Sequence, residues 1–203
     1  KSIQTLNAAR RPLLARPDVN SINAKVRSAL ASGVRAGGAK RVLEWGCGFH
    51  PMRSQLRGIR YVGLDIDPQV IRHNIPRVRL PWRRSFVLAD AELDRLDDDS
   101  FDAVVSAFVL HFRLSRLHIE TMHRVLRPGG FVLANVYRRS PRSRRELRAA
   151  FERATFSVVV HPDPAAMCDG HEFWTMTADR AGADCADRAV AAVLTSIGKS
   201  SHP

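Results

Sequence analysis

Three carboxylates and one glycine-rich turn are the residues whose types and spacing could hold a nucleotide-like ligand. Glu44, Asp65 and Asp90 each lie inside or directly after a short apolar run that is typical of a buried strand. The run around Glu44 ends in Gly46-Cys47-Gly48, where two glycines let the backbone turn tightly and approach a ligand, with Cys47 as a small spacer. A helix after this turn would direct its free amides at an anionic or polar group. Asp65, at the tip of the next strand, is placed to bridge the two hydroxyls of a ribose.

Histidines supply the candidate groups for proton transfer. His111 follows the predicted fourth strand, and histidine is the side chain whose ordinary titration range suits a general base. A histidine that only packs or hydrogen-bonds at this place is an equal alternative. His161, His171 and Glu172 lie in or beside the predicted loop between the last two strands, which could roof a pocket for a second ligand.

The elements that must position these residues alternate along the chain. Apolar runs predict strands over residues 41–46, 61–65, 86–89, 101–107, 131–136, 156–161 and 173–177. Helical spacing and capping residues predict helices over residues 18–36, 51–56, 68–74, 113–126, 142–154 and 184–197. This alternation predicts an α/β fold with a parallel sheet and right-handed crossovers. We expect one such domain over residues 38–180, between an N-terminal arm and helix (1–37) and a C-terminal helix and tail (181–203).

Composition limits the class of protein. A hydrophobic share of 45% and a charged share of 26% are ordinary for a soluble globular protein, and 203 residues suit one domain. No apolar run approaches the roughly 18–20 residues of a membrane span, and the N-terminus has no signal-peptide pattern, so we expect a cytoplasmic protein without a membrane partner. The three cysteines are widely spaced and form no Cys-x-x-Cys, so neither a disulfide framework nor a metal site is predicted.

The net charge of +12 is the unusual total. It indicates either an anionic partner such as RNA or an arginine-rich composition without a partner. Arginines cluster in residues 72–84, around Trp82, and again in residues 138–148. A basic segment with an interleaved aromatic can bind phosphate and base, and a solvated loop is the alternative.

In their order and spacing, the motifs resemble those of class I S-adenosylmethionine-dependent methyltransferases of the small type-11-like group, over residues 38–178. The matching segments are Val42–Gly48, Val62–Pro68, Ala89–Glu92, Ser100–Ser106 and Val125–Gly130. The resemblance implies S-adenosyl-L-methionine as cofactor and a Rossmann-like, doubly wound sheet of seven strands, in the order 3-2-1-4-5-7-6 with the last strand antiparallel. It implies that the cofactor is bound by Glu44, Gly46, Cys47, Gly48, Asp65, Ile66, Asp90, Ala91 and Ser106.

Three functions are compatible with this resemblance. A small-molecule methyl acceptor is favoured, because the chain is short and has no separate RNA-binding domain. RNA methylation is the alternative that the basic clusters suggest. A non-catalytic accessory protein is the third, because His50 replaces the family's third glycine and Pro76 cuts short the helix after the second strand. A nicotinamide-binding Rossmann protein is disfavoured, since its motif requires glycine or alanine where Pro51 stands. The sequence predicts neither the acceptor atom nor the oligomeric state.

Overall fold

Seven strands and five α-helices make up the computed structural model, which describes residues 17–75, 86–88, 92–167 and 170–199. The strands are β1 (Arg41–Trp45), β2 (Arg60–Asp65), β3 (Phe86–Leu88), β4 (Phe101–Ser106), β5 (Leu126–Val136), β6 (Ser157–Pro162) and β7 (Glu172–Thr177). The helices are α1 (Pro17–Ala36), α2 (Pro68–Asn74), α3 (Arg116–Val125), α4 (Pro141–Arg153) and α5 (Arg180–Lys199).

The strands form one sheet in the order β3-β2-β1-β4-β5-β7-β6. The pairs β3–β2, β2–β1, β1–β4 and β4–β5 are parallel, whereas β7 is antiparallel to both β5 and β6. The predicted Rossmann-like α/β fold is confirmed. The carboxyl ends of β1, β2 and β4 therefore meet at one edge, which is where ligands bind in open parallel sheets.

Helices cover both faces of the sheet because the central strands are apolar on both sides. Val42 of β1 and Phe131 of β5 face a core that α1 and α5 complete, while their neighbours Leu43 and Val132 face a second core under α3 and α4. All four side chains are buried. Because successive side chains of a strand point to opposite faces of the sheet, alternate residues of β1 and β5 lie in different cores.

Several predicted boundaries differ from the structure. The connection after Pro51 holds only a 3₁₀ turn, Met52–Ser54, so no α-helix follows the glycine turn. Strand β5 begins at Leu126 and includes the Pro128-Gly129-Gly130 segment, which was expected to precede it; the register against β4 shifts between Phe101 and Ala103 to absorb the extra residues. Helix α3 begins at Arg116 because the Ser115 side chain caps it. The basic segment around Trp82 falls mainly on residues 76–85, outside the described residues.

None of the described helices combines the length and the apolar character that a membrane crossing requires.

Packing of α1 on α5 predicts the effect of a single methyl group. A Cβ at Gly33 of α1 would lie 2.7 Å from the Ala189 carbonyl oxygen and 2.7 Å from Val193 Cγ2, both in α5. Gly33→Ala is therefore expected to lower the free energy of unfolding by about 1–3 kcal/mol through overpacking. Gly198→Ala, in the same helix pair but with no atom within 4 Å of its Cβ, is the control, and it should be neutral or stabilising by up to about 1 kcal/mol. Urea unfolding measures both, and equal effects would contradict the packing argument.

Candidate cofactor site

The glycine turn at the end of β1 is the centre of the candidate site. The amides of Gly46 and Cys47 both donate to the Leu64 carbonyl oxygen, at 2.7 and 2.9 Å, which ties the turn to β2. Gly46 (φ +77°) and Gly48 (φ +60°) lie in the left-handed region that favours glycine. A Cβ at Gly46 would lie 2.3 Å from Val109 Cγ2, whereas one at Gly48 would meet only Arg27 Nη2, at 3.9 Å. The missing Cβ at Gly46 therefore lets Val109 pack against the backbone, whereas the missing Cβ at Gly48 leaves room for a ligand.

Glu44 is completely buried under this turn and holds it in place. Its Oε1 accepts from Arg27 Nη1 at 2.8 Å, and its Oε2 accepts from the Tyr61 hydroxyl at 2.5 Å and the Met52 amide at 2.8 Å. Burial raises the pKa of the Glu44 carboxyl above its ordinary value, while Arg27 and the two hydrogen bonds to Oε2 lower it in part. Glu44 therefore holds the turn in place, and its predicted contact with the cofactor stays a prediction.

Asp65 faces the turn from the tip of β2. Its Oδ2 accepts from the Gly48 amide and its Oδ1 from the Asp67 amide, both at 2.9 Å. Burial raises the pKa of the Asp65 carboxyl, and these two hydrogen bonds oppose the shift. Each carboxylate oxygen can accept a second hydrogen bond, as the predicted contact with ribose requires. Ile66, the next residue and a predicted cofactor contact, is 36% exposed.

Two residues that the sequence did not reveal complete the turn. Asn74, buried at the end of α2, donates from Nδ2 to the Gly48 carbonyl oxygen at 2.9 Å. Asn74 lies four residues after Val70 and three after Ile71, so all three share the buried face of α2. A polar amide on that apolar face was the sequence signal that could have revealed its role. Arg27 lies on α1, and its pairing with Glu44 leaves Nη2 beside Gly48. Nothing in its spacing along the helix pointed to that contact.

Cys47 and Ser106 are both fully buried at this edge. Burial, together with the Glu44 and Asp65 carboxylates, raises the pKa of the Cys47 thiol well above its ordinary value. The thiol therefore stays protonated and unreactive, which agrees with a role as a small spacer in the turn. The Ser106 hydroxyl donates to the Trp45 carbonyl oxygen at 3.0 Å and so joins the tips of β4 and β1. Asp90 and Ala91, expected at the adenine, lie outside the described residues.

His111 lies after β4, as expected, within an aromatic group. Its ring centroid is 4.0 Å from that of Phe112 and 4.8 Å from that of Tyr137, and Tyr137 in turn contacts Phe108 at 5.3 Å. His111 also borders a cavity of about 940 Å³ between α3 and α4, with Arg113 and Arg139. A second cavity, of about 590 Å³, lies at the opposite, amino edge of the sheet among Lys40, Arg60 and Arg127.

Among the described residues, no three His, Cys, Asp or Glu side chains gather as ligands for a metal ion.

This arrangement defines an α/β protein with a nucleotide-type site at the carboxyl edge of its sheet, and comparisons with known proteins give the family. Residues 43–134 match the family described as "Methyltransferase domain". The phthiotriol/phenolphthiotriol dimycocerosates methyltransferase of Mycobacterium tuberculosis is 36% identical over 125 residues, which cover 59% of this chain and 46% of the relative. The chain thus spans about half the length of the curated relatives it matches.

Two solved structures share the fold. A TehB-like S-adenosylmethionine-dependent methyltransferase from Corynebacterium glutamicum superposes with a TM-score of 0.57 and 21% identity, over 73% of this chain and 86% of its own. A 1,6-didemethyltoxoflavin-N1-methyltransferase from Burkholderia thailandensis, solved with its acceptor and S-adenosylhomocysteine, gives a TM-score of 0.54 and 21% identity, over 78% and 80%. These likenesses together support a class I methyltransferase with S-adenosylmethionine as its cofactor.

The described residues fit that cofactor. Open space over Gly48 permits close approach to the backbone, and the Asp65 carboxylate has acceptor capacity left for two ribose hydroxyls. The Arg27 guanidinium brings a positive charge to the other side of the turn, where it suits the carboxylate of the methionine part.

Asp65→Ala tests the cofactor assignment. Removing two hydrogen bonds to a charged acceptor is expected to weaken binding of S-adenosylhomocysteine about 100-fold, measured by calorimetry. Asp67→Ala is the matched control, because it removes a neighbouring carboxylate that caps α2 through the Gln69 amide. The control should cost about 1 kcal/mol of stability and leave affinity within a few-fold. Equal losses in the two variants would contradict a specific role for Asp65.

Proposed function

We propose that this domain transfers the methyl group of S-adenosylmethionine to a small-molecule acceptor with an apolar body. The observation that carries the proposal is the Asp65 carboxylate hydrogen-bonded to the open Gly48 turn, with the Arg27 guanidinium beside it. The curated relatives support the acceptor class, because their names give phthiotriol and phenolphthiotriol dimycocerosates as the compounds methylated.

The protein's part in this reaction is positioning. When bound, S-adenosylmethionine supplies an electrophilic methyl group on a sulfonium. Asp65 would hold the ribose and Arg27 the carboxylate of the methionine part, Gly48 would admit the cofactor to the backbone, and the apolar surroundings would exclude water. Alignment of nucleophile and methyl group then supplies much of the acceleration.

Apolar side chains support an acceptor pocket next to the turn. Phe49 directly follows Gly48, and Phe108 directly precedes Val109, whose side chain packs on Gly46. Ala165 and Met167 come from the loop between β6 and β7. All four named pocket residues, Phe49, Phe108, Ala165 and Met167, are half-buried and pack against the core under α1 and α5. Such a surface favours an uncharged, apolar acceptor.

His111 is the proposed general base for a hydroxyl or charged-amine acceptor. Ring contacts through Tyr137 connect it to Phe108 on the acceptor side. An acceptor that is already a neutral nucleophile needs no base, so the role of His111 depends on the acceptor.

The arginines of residues 138–148 weigh against RNA as the acceptor. Arg139 donates to the carbonyls of Leu110 and Phe112, which fixes it inside the fold. The ion pairs that involve the other arginines of this cluster are Arg142–Glu146, Arg144–Glu172 and Arg148–Glu152. Three of the six arginines in this cluster are therefore already paired with the chain's own carboxylates.

The acceptor class is tested with S-adenosylmethionine carrying a tritium-labelled methyl group. The protein is incubated separately with an organic-solvent extract of cells, a polar metabolite extract and total RNA, with Asp65→Ala as the inactive control. We expect label in the organic-solvent extract alone. Label in RNA would replace the small-molecule proposal by RNA methylation. Absence of S-adenosylhomocysteine binding by the intact protein would overturn the enzymatic proposal and favour an accessory role.

Arg27 provides a further prediction about the methionine end of the cofactor. Since Arg27→Leu alone would leave Glu44 buried and unpaired, the informative variant is Arg27→Leu combined with Glu44→Gln. We expect it to weaken S-adenosylhomocysteine binding at least about tenfold, because one charge-assisted hydrogen bond is lost. Binding of methylthioadenosine, which lacks the amino acid part, should stay unchanged.

Arg35→Leu is the control for that experiment. Arg35 also lies on α1 and donates to the carbonyls of Gln55 and Arg57, so its loss removes a similar tether without touching Gly48. Its effect on the two ligands should be equal. If the Arg27 double variant also weakens both ligands equally, Arg27 supports the turn and does not contact the cofactor.

A further inference from the structure

Phe108 has an unusual backbone at the acceptor side of the candidate site. Its φ of +59° lies in the left-handed region, which a bulky residue adopts only where the surrounding structure imposes it. Its amide donates to Asn135 Oδ1 at 2.7 Å, so β5 holds the strained residue from the neighbouring strand tip.

Asn135 is the first member of a buried chain of hydrogen bonds. Its Nδ2 lies 3.0 Å from His171 Nε2, and His171 Nδ1 lies 2.7 Å from Asp163 Oδ2. Asn135, His171 and Asp163 are 1%, 5% and 8% exposed, which shields all three from water. The chain runs from the loop between β6 and β7, through β5, to the loop after β4.

One group with a fixed role determines which atom donates and which accepts in every bond of this hydrogen-bond chain. The Phe108 amide can only donate, so the atom of Asn135 that faces it must be the carbonyl oxygen. The Asn135 amino group then donates to His171 Nε2, which must be unprotonated, and His171 Nδ1–H donates to Asp163. A single arrangement of protons satisfies all the groups, and this makes the chain stiff.

The Asp163 end of this hydrogen-bond chain fixes the loop between β6 and β7, which carries Ala165 and Met167. Asp163 Oδ1 accepts from the Ala165 amide at 3.0 Å, and its Oδ2 accepts from the Met167 amide at 2.9 Å. The Asp163 amide donates to the His171 carbonyl oxygen at 3.2 Å, which closes the base of the loop. The bonds that hold Phe108 therefore also hold Ala165 and Met167.

We propose that Asp163, His171 and Asn135 form a positioning relay that sets Phe108 and Met167 on opposite sides of the methyl acceptor. The proposal rests on the proposed function, because it assigns these residues to the acceptor half of the same site. The three are positioning residues, since they act through Phe108 and the loop. The glycine turn and Asp65 have no hydrogen bond with the relay among the described residues, so cofactor affinity should not depend on it.

The test uses the full chain saturated with S-adenosylhomocysteine, with phenol as a probe of the acceptor pocket. Methionines carry ¹³C-methyl groups, and Met167 reports on the pocket because Met52, Met122 and Met176 are buried in the core. Asn135→Leu removes the bond to Phe108. Asn135→Asp is the rescue variant, because a carboxylate can accept from Phe108 and pair with a doubly protonated His171. Thr175→Val is the stability control, because it removes a buried polar group that lies on β7, outside the relay.

In the wild type, Asn135→Asp and Thr175→Val, we expect a saturable shift of the Met167 methyl signal with phenol and a positive φ at Phe108 from its amide coupling constant. In Asn135→Leu we expect φ to become negative and phenol affinity to fall at least about fivefold. Affinity for S-adenosylhomocysteine should stay within twofold in all variants. Asp163→Leu removes the acceptors for His171, Ala165 and Met167, and it should reproduce the loss of phenol affinity if Asn135→Leu does not fold.

The relay proposal would be overturned if phenol did not shift the Met167 methyl signal of the wild type. Equal phenol affinity in Asn135→Leu and Thr175→Val would also overturn it. Loss of S-adenosylhomocysteine binding in Asn135→Leu alone would also overturn it, because the relay would then serve the cofactor turn. Failure of the wild type to bind S-adenosylhomocysteine would instead contradict the proposed function.

Discussion

A carboxylate that is buried away from water needs hydrogen-bond donors from the protein. The Glu44 side chain imposes this constraint on the carboxyl edge of the sheet. It is fully buried and takes its donors from α1, from the 3₁₀ turn and from β2. Moving any of these three elements would leave a charge or a donor unpaired in the core. The glycine turn, which begins two residues after Glu44, is therefore held on three sides before any ligand arrives, and little ordering remains to oppose cofactor binding.

The two halves of the candidate site use different chemistry. The proposed cofactor half consists of backbone at Gly48, a carboxylate at Asp65 and a guanidinium at Arg27, which suit the ribose and the methionine carboxylate of S-adenosylmethionine. The proposed acceptor half consists of apolar side chains held by a buried polar network. Methyl transfer from a sulfonium needs alignment more than it needs acid or base. A rigid apolar wall is a suitable device for that purpose.

The sequence predicted what depends on neighbouring residues. Strand β2 and helix α2 were foreseen almost residue by residue, because an apolar run followed by Asp67 and Pro68 marks a strand end and a helix start. Contacts between distant residues could not be foreseen. Arg27 meets Glu44 across 17 residues, and Asn135 meets His171 across 36, and no local pattern encodes either pair. The 3₁₀ turn replaced a predicted helix because Pro51 suits both, and Glu44 then captures the Met52 amide.

The dependence of the glycine turn on α1 has a consequence for how the protein is made. Helix α1 is the first described element, but the surface it buries is completed by α5, the last. Arg27 can settle against Glu44 only when α1 is docked, and α1 docks fully only after residues 180–199 have left the ribosome. A nascent chain would therefore carry its motifs long before it could bind S-adenosylmethionine. Once α1 and α5 are docked on each other, the cofactor would stabilise the packed pair by mass action, which would link cellular cofactor supply to protein lifetime.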